Sequence, residues 1–341
     1  MSVAAFLQAL PKVELHCHLY GTVRKQTFLD LCLKRKAPFT ALQVDEFYTR
    51  ARTPWPTNNV LRALDDHLVK EPDDLYRLTA EYLEDAAASN VRYTEFFWNP
   101  TATVQAGIPY PKAQAAIVRA IRDSKIQGRL IPAIDRERPV EAALEMVDWV
   151  IAHREPEVLG IGIDFNEAER PPELFVDAYR KARAAGLRLT AHAGENGVPW
   201  QNVRTAIELL GVERVDHGYT VIDNPAFARE CADRGIVFTV VPTNSFYLRT
   251  LPDERWALDH PIRRMPALGL RVHPNTDNPT LHKVTPTRAW RMMAEDFGFG
   301  LDELKGFMLN GLDAAWLGDS QRGRWRREWA DEFDSLRKRL T

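Results

Sequence analysis

The chain has 341 residues, of which 45% are hydrophobic and 27% charged, the proportions of a soluble globular protein with a sizeable core. A formal net charge of −2 gives no electrostatic footprint for nucleic acid or an anionic membrane, and no apolar run approaches the ~18 residues of a membrane span. Cys17, Cys32 and Cys231 form no CxxC pair and no disulfide framework, so a reducing, cytoplasmic setting is expected.

Short β-rich runs recur along the chain at 13–18, 91–98, 130–135, 158–165, 187–193, 214–218, 236–242 and 270–275. Stretches of helical periodicity separate them, such as 172–185 and 225–234, the second stopping at Gly235. Eight strands alternating with helices predict a single α/β domain, a (β/α)8 TIM barrel over 1–341. Two regions exceed the minimal barrel. Residues 22–90, between the first two strands, contain the breaker cluster TPWPTNN and an amphipathic segment from Val60 onward. An insertion there lies over the mouth of a barrel, either as a lid or as a helical subdomain packed on the rim. Residues 298–341 predict C-terminal helices, and their RGRWRREW stretch reads as an amphipathic cap because acidic residues are interleaved.

The first strand ends in VELHCHLYGT, residues 13–22. His16 and His18 are one residue apart, so they project from the same side of an extended strand. Two imidazoles pack poorly but offer two nitrogen lone pairs in one place, as a metal of borderline softness requires. The plain alternative is a half-exposed strand end. Further polar residues end other strands: His192 in TAHAGE, His217 in VDHGY and Asp277 in NTDNP. Catalytic groups of a barrel enzyme gather on that C-terminal face, and several converging there favour a metal site over isolated structural histidines.

KVELHCHLYGT, HAGE, DHG and NTDNP, in that order, resemble the motifs of the adenosine and adenine deaminase family of the amidohydrolase superfamily, over roughly residues 10–320. The resemblance implies one zinc ion per chain held by His16, His18, His192 and Asp277. It implies that Glu195 protonates a heterocycle ring nitrogen and that His217 orients the water that zinc activates. The chemistry of these residue types agrees: three neutral imidazoles and one carboxylate keep zinc a strong Lewis acid. A Glu whose pKa is raised by burial can serve as the acid, although sequence alone does not separate His217 from a ligand. Two-metal members of the superfamily bridge their ions with a modified lysine on the fourth strand; GIGIDF has none, which implies a mononuclear site.

Three positions depart from the family pattern. Tyr20 replaces the acidic residue of HLDG or HLEG that binds ribose, Glu167 in DFNEAE replaces the glycine of DLAGDE, and Asn278 in NTDNP replaces a carboxylate. Tyr20 removes a charged acceptor and adds a ring that fills the sugar space, stacks on a base, or packs at the rim. Glu167 either accepts from a ring N–H or points to solvent, and Asn278 donates through its amide. EFFWNPTATVQAGI, residues 95–108, leans toward adenine deaminases. The expected activity is hydrolytic deamination of an adenine-like base or related small aminoheterocycle. Deamination of adenosine or another nucleoside, hydrolysis of a non-purine amide or amidine, and a non-catalytic binding role are the alternatives.

Overall fold

The structure, a computed structural model, describes residues 1–49 and 55–341, with only the backbone over 55–58. Part of the breaker cluster at 53–59 therefore lies outside the described residues. Eight parallel strands follow one another in sequence order: β1 (Lys12–Glu14), β2 (Val91–Trp98), β3 (Gln127–Asp135), β4 (Gly160–Asp164), β5 (Arg188–Ala193), β6 (Arg214–His217), β7 (Val237–Val240) and β8 (Arg271–Pro274). Strands covered by helices on one side and by the barrel interior on the other read as continuous apolar runs, and VRYTEFFW of β2 is buried almost throughout. Between strands, local signals set the helices. Asn224 caps the helix Pro225–Asp233 by accepting from the amides of Ala226 and Phe227, both at 3.1 Å, and Pro225 occupies the first turn, where no amide is needed.

The expected first strand, 13–18, is only partly a regular ladder. A register shift between Lys12 and Val13 interrupts its pairing with β2. Pairing resumes beyond Glu14, where His18 bridges to Phe97 and Cys17 to Asp277. The second bridge closes the barrel between its first and last strands. Three of the hydrogen bonds that hold this seam are from the His18 amide to the Asp277 carbonyl at 2.8 Å, from the Asp277 amide to the His16 carbonyl at 2.9 Å, and from the Leu15 amide to Asn275 Oδ1 at 2.8 Å. The buried Glu14 carboxyl adds a fourth by accepting from the Thr276 amide at 2.9 Å.

The segment after β1 forms the helices Lys25–Arg35, Ala41–Phe47, Trp55–Ala63 and Pro72–Ala88, with one π-helical turn at Leu64–Leu68. Past β8, helix Leu301–Ala314 packs against the barrel and helix Asp319–Arg337 follows it. The RGRWRREW stretch lies in this last helix. Its apolar side is buried at Trp329 and Phe333, Phe333 meeting Phe6 edge-on at 5.1 Å between ring centres.

Inside the barrel, Glu95 of β2 and Arg214 of β6 form a fully buried ion pair. Arg214 also lies over the Trp316 ring at 4.5 Å, and Glu95 accepts from the Tyr93 hydroxyl at 2.6 Å and from the Trp316 amide. A buried ion pair adds little net stability against an apolar replacement, but removing one partner strands the other charge. Glu95→Ala should therefore destabilise the fold by about 3–5 kcal/mol, read as a lowered urea midpoint, while Glu95→Gln, which keeps the acceptor, should cost less.

Candidate metal centre and active site

The seam sets His16 and His18 beside Asp277, and neighbouring strand ends supply the rest. His16 Nδ1 faces the Thr239 carbonyl oxygen at 3.1 Å; a carbonyl only accepts, so Nδ1 carries the proton and Nε2 keeps its lone pair. That Nε2 is buried and has no hydrogen-bond partner. His18 Nδ1 lies 3.3 Å from Asp164 Oδ2 at the end of β4, and His192 Nδ1 lies 3.7 Å from Asp216 Oδ2 in β6. Asp216 is itself held by the hydroxyls of Thr190 at 2.8 Å and Thr239 at 2.7 Å. The outer partners of His16 and His18 orient those rings with the second nitrogen inward, and Asp216 sets a carboxylate near, though not hydrogen-bonded to, His192 Nδ1.

The inward atoms are close. His18 Nε2 and His192 Nε2 are 3.1 Å apart, His18 Nε2 is 3.3 Å from Asp277 Oδ1, and His16 Nε2 is 3.9 Å from that oxygen. Lone pairs that face one another and a carboxylate in a buried site repel unless a cation lies between them. Ligands bound tetrahedrally at ordinary zinc–nitrogen distances sit roughly 3.3 Å apart, so the donor set fits zinc in both chemistry and spacing. Burial, and then the neighbouring imidazoles, hold His16 and His192 well below the usual histidine range, which keeps them neutral donors. His18 differs: burial opposes its charge, but the hydrogen bond to Asp164 and the fields of Asp277 and Asp164 outweigh it, and its pKa is raised.

His217 completes a second overlapping group, because the ring nitrogens of His16, His192 and His217 also lie within 4.8 Å of one another. Its Nδ1 is 3.3 Å from the Tyr219 hydroxyl, which donates to the Val241 carbonyl at 3.1 Å and accepts from the Val241 amide at 2.9 Å. The remaining Tyr219 lone pair takes the Nδ1 proton, so His217 Nε2 is a free base facing Glu195 Oε2 at 3.7 Å. Glu195 accepts from Asn244 Nδ2 at 3.1 Å. Burial, followed by the charges of Asp277 and Glu167, pushes its carboxyl up to about 8. His217 and Asp277 have φ of 67° and 61°, conformations uncommon for such residues and found where a strand end must aim a side chain.

These groups open into a cavity of about 330 Å³, lined also by Tyr20, Asn278, Phe97, Trp98, Phe165 and Asp65. The three expected recognition residues divide here. Tyr20 lines the cavity, is buried, and has its hydroxyl 3.3 Å from Thr103 Oγ1. Asn278 lines it as well, with Nδ2 donating to Asp277 Oδ1 at 2.7 Å, so part of its donor capacity is used within the protein. Its backbone passes so close to Gly21 that a Cβ there would lie 2.7 Å from Asn278 Cα, which explains the glycine of HLYG.

Glu167 does not line the cavity, and its expected part in substrate recognition is corrected by its contacts. It is buried, and its carboxylate accepts from the amides of Gly194 at 2.9 Å and Glu195 at 3.2 Å and from Asn202 Nδ2 at 2.9 Å. Both oxygens are engaged in fixing the HAGE turn, where Gly194 has a φ of 72°. Asp164, Asp216 and Asn244 escaped the sequence reading. Asp164 and Asp216 stood inside the quoted motifs GIGIDF and VDHGY, and a carboxylate ending a buried strand was the available signal. Asn244 and Asp65 carried none.

The fold and the site define a metal-dependent hydrolase of the barrel type. Residues 11–331 match the adenosine deaminase family model, and the chain belongs to that family. It is 58% identical to a zinc-bound amidohydrolase from Burkholderia ambifaria, with a TM-score of 0.97 over 100% of this chain and 95% of the other. The adenine deaminase of Vibrio parahaemolyticus is 31% identical, covering 94% of this chain and 96% of the relative. The adenine deaminase structure from Arthrobacter aurescens is 27% identical, with a TM-score of 0.86 over 96% and 100% of the two chains. The protein is thus a zinc-dependent hydrolytic deaminase. Among the described residues no helix is long and apolar enough to cross a membrane.

Removing an outer partner of a metal-binding histidine typically lowers metal affinity ~10–100-fold. Asp216→Asn should do so here, with zinc retention against a chelator as the measurement, because His192 Nδ1 would no longer face a carboxylate.

Proposed function

We propose that the chain deaminates an adenine-like free base or a similarly compact aminoheterocycle, with His16, His18, His192 and Asp277 as the zinc ligands. The observation that carries the reading is the pairing of Glu195, a carboxyl pushed up to about 8, with the free Nε2 of His217 beside these four donors. Zinc, when bound, supplies a Lewis acid able to bring the pKa of water to about 7. Water adds to the amine-bearing ring carbon, and the electron pair of the ring C=N bond moves onto the adjacent ring nitrogen. Glu195, protonated below its pKa, gives that nitrogen its proton. His217 Nε2 accepts a hydrogen bond from the attacking water and orients it. The carbon–amine bond then breaks: one proton of the water leaves with the amine as ammonia, and the other returns to Glu195 as the carbonyl forms, which restores the acid.

The substrate class rests on three supports. The similar deaminases of Vibrio parahaemolyticus and Arthrobacter aurescens are named for adenine. Tyr20 stands where a sugar-binding carboxylate is usual in the family. Among the described cavity residues the only guanidinium or ammonium group is that of Arg249, which is exposed, so the described lining offers a phosphate no buried guanidinium or ammonium. We also place the reaction in the cytoplasm, because Cys17, Cys32 and Cys231 are all free thiols.

Glu195→Gln should retain the fold and stoichiometric zinc while ammonia release falls ~10²–10⁴-fold. In the unsubstituted enzyme, raising the pH through about 8 deprotonates Glu195 and removes the acid, so kcat/KM should decline on that alkaline side. The residual activity of Glu195→Gln should lack this limb. Separately, His16→Ala should lose bound zinc by elemental analysis, and an active variant with one zinc per chain would exclude His16 as a ligand.

A further inference from the structure

Asp65 lies on the π-helical turn Leu64–Leu68 of the segment inserted after β1, outside every motif discussed above. It lines the same cavity as Glu195 and His217, is only 6% exposed, and its Oδ1 has no hydrogen-bond partner. The nearby cations are engaged elsewhere. Arg62 pairs with Glu137 at 2.6 Å and Asp135 at 3.6 Å, Arg138 pairs with Asp135 at 3.2 Å, and Lys70 Nζ binds the backbone carbonyl of Asp65 at 2.9 Å rather than its carboxylate. Among the described residues Asp65 has no ion pair. The carboxyl is pushed up to about 7, first by burial, with the field of Arg62 opposing and those of Asp66 and Asp135 adding to the rise.

Its neighbour in the cavity is Tyr20. The phenol is raised well above its ordinary range by burial first and then by the charge of Asp65, to which it also hydrogen-bonds, leaving Asp65 Oδ1 as the unpartnered oxygen; the Tyr20 hydroxyl lies 3.3 Å from Thr103 Oγ1, which accepts from Trp98 Nε1 at 3.1 Å. The wall near Tyr20 therefore keeps a carboxylate, but one supplied by the insertion rather than by the end of β1. Asp65 belongs to neither group of metal-binding atoms, so a ligand whose reacting carbon sits at those atoms meets it with another part of its ring.

We infer that Asp65 is a specificity-determining residue whose carboxylate accepts a ring N–H of the substrate away from the reacting carbon, so that the site selects N-unsubstituted heterocycles over N-alkylated or N-glycosylated ones. The inference deepens the free-base reading above and rests on it. In adenine the donor is the imidazole-ring N–H, which a sugar or methyl group at N9 removes. A buried acceptor left facing that substituent would be desolvated and unpaired, which is how a site built around a donor rejects its analogue. The same carboxylate disfavours any anionic group on that part of the substrate.

The test compares adenine with 9-methyladenine on the zinc-loaded enzyme, on Asp65→Ala and on Asp65→Asn, by ammonia release and by calorimetric binding to the same variants carrying Glu195→Gln. The expected result is a wild-type preference for adenine of ~100-fold or more. Asp65→Ala should lose most of it, through a rise in KM for adenine larger than any fall in kcat, with 9-methyladenine unchanged or improved. Asp65→Asn, which keeps a carbonyl acceptor without the charge, should fall between. Zinc content equal to wild type excludes a folding defect as the cause. Equal affinity for the two ligands in the wild-type background, or a preference that Asp65→Ala leaves unmoved, overturns the inference. Absence of ammonia release from any aminoheterocycle would instead overturn the deaminase substrate reading, while the binding comparison would still decide the part played by Asp65.

Discussion

The site depends on how the barrel closes. β1 and β8 are not joined by a regular ladder; a single bridge between Cys17 and Asp277 and a few side-chain clamps carry the seam. The hydrogen bonds that close it belong to the backbones of His16, His18 and Asp277, the same residues whose side chains converge on the metal position. Closing the barrel and assembling the donors are therefore one event. The seam also brings the buried Glu14 carboxyl to the Thr276 amide one residue before Asp277, so barrel closure fixes the start of the turn that carries Asp277.

Around that seam the outer hydrogen bonds decide what each imidazole can do. A backbone carbonyl behind His16 and a carboxylate behind His18 face their outer nitrogens and turn the inner nitrogens toward the other donors, while the Asp216 carboxylate stands 3.7 Å from the outer nitrogen of His192. Tyr219 does the same for His217, but there the free nitrogen faces Glu195. Thr239 links two of these arrangements, since its carbonyl orients His16 while its hydroxyl steadies the aspartate behind His192. His16 and His192 are thereby kept as neutral donors beside a Glu195 carboxyl that burial pushes up, the pairing a hydrolytic deamination would use.

Recognition is built on different elements from the chemistry. The reacting groups come from strand ends, whereas the cavity wall near Tyr20 draws on the insertion after β1 through Leu61 and Asp65. Glu167 stands apart from the cavity wall: by holding the amides of Gly194 and Glu195 it fixes the turn that presents Glu195. A residue that differs from the family at an expected substrate position has thus become part of the support for Glu195, the proposed acid.

The amino-acid sequence by itself determined the order of eight strands and singled out candidate metal ligands and a candidate acid–base pair, because strand periodicity and short motifs are local properties written in consecutive residues. It also exposed the departures at Tyr20, Glu167 and Asn278. It left open where those three side chains point, since the direction of a loop residue depends on which distant backbone amides offer it partners. Glu167 turned inward to amides 27 and 28 residues away, and nothing in DFNEAE encodes that choice. Asp65 was equally silent, an ordinary acidic residue in an amphipathic stretch until the insertion folded over the mouth and buried its carboxylate. Tertiary structure decided these matters because burial and the supply of hydrogen-bond partners are properties of a residue's surroundings, and the insertion, the HAGE turn and the closing seam create those surroundings only when the barrel is complete.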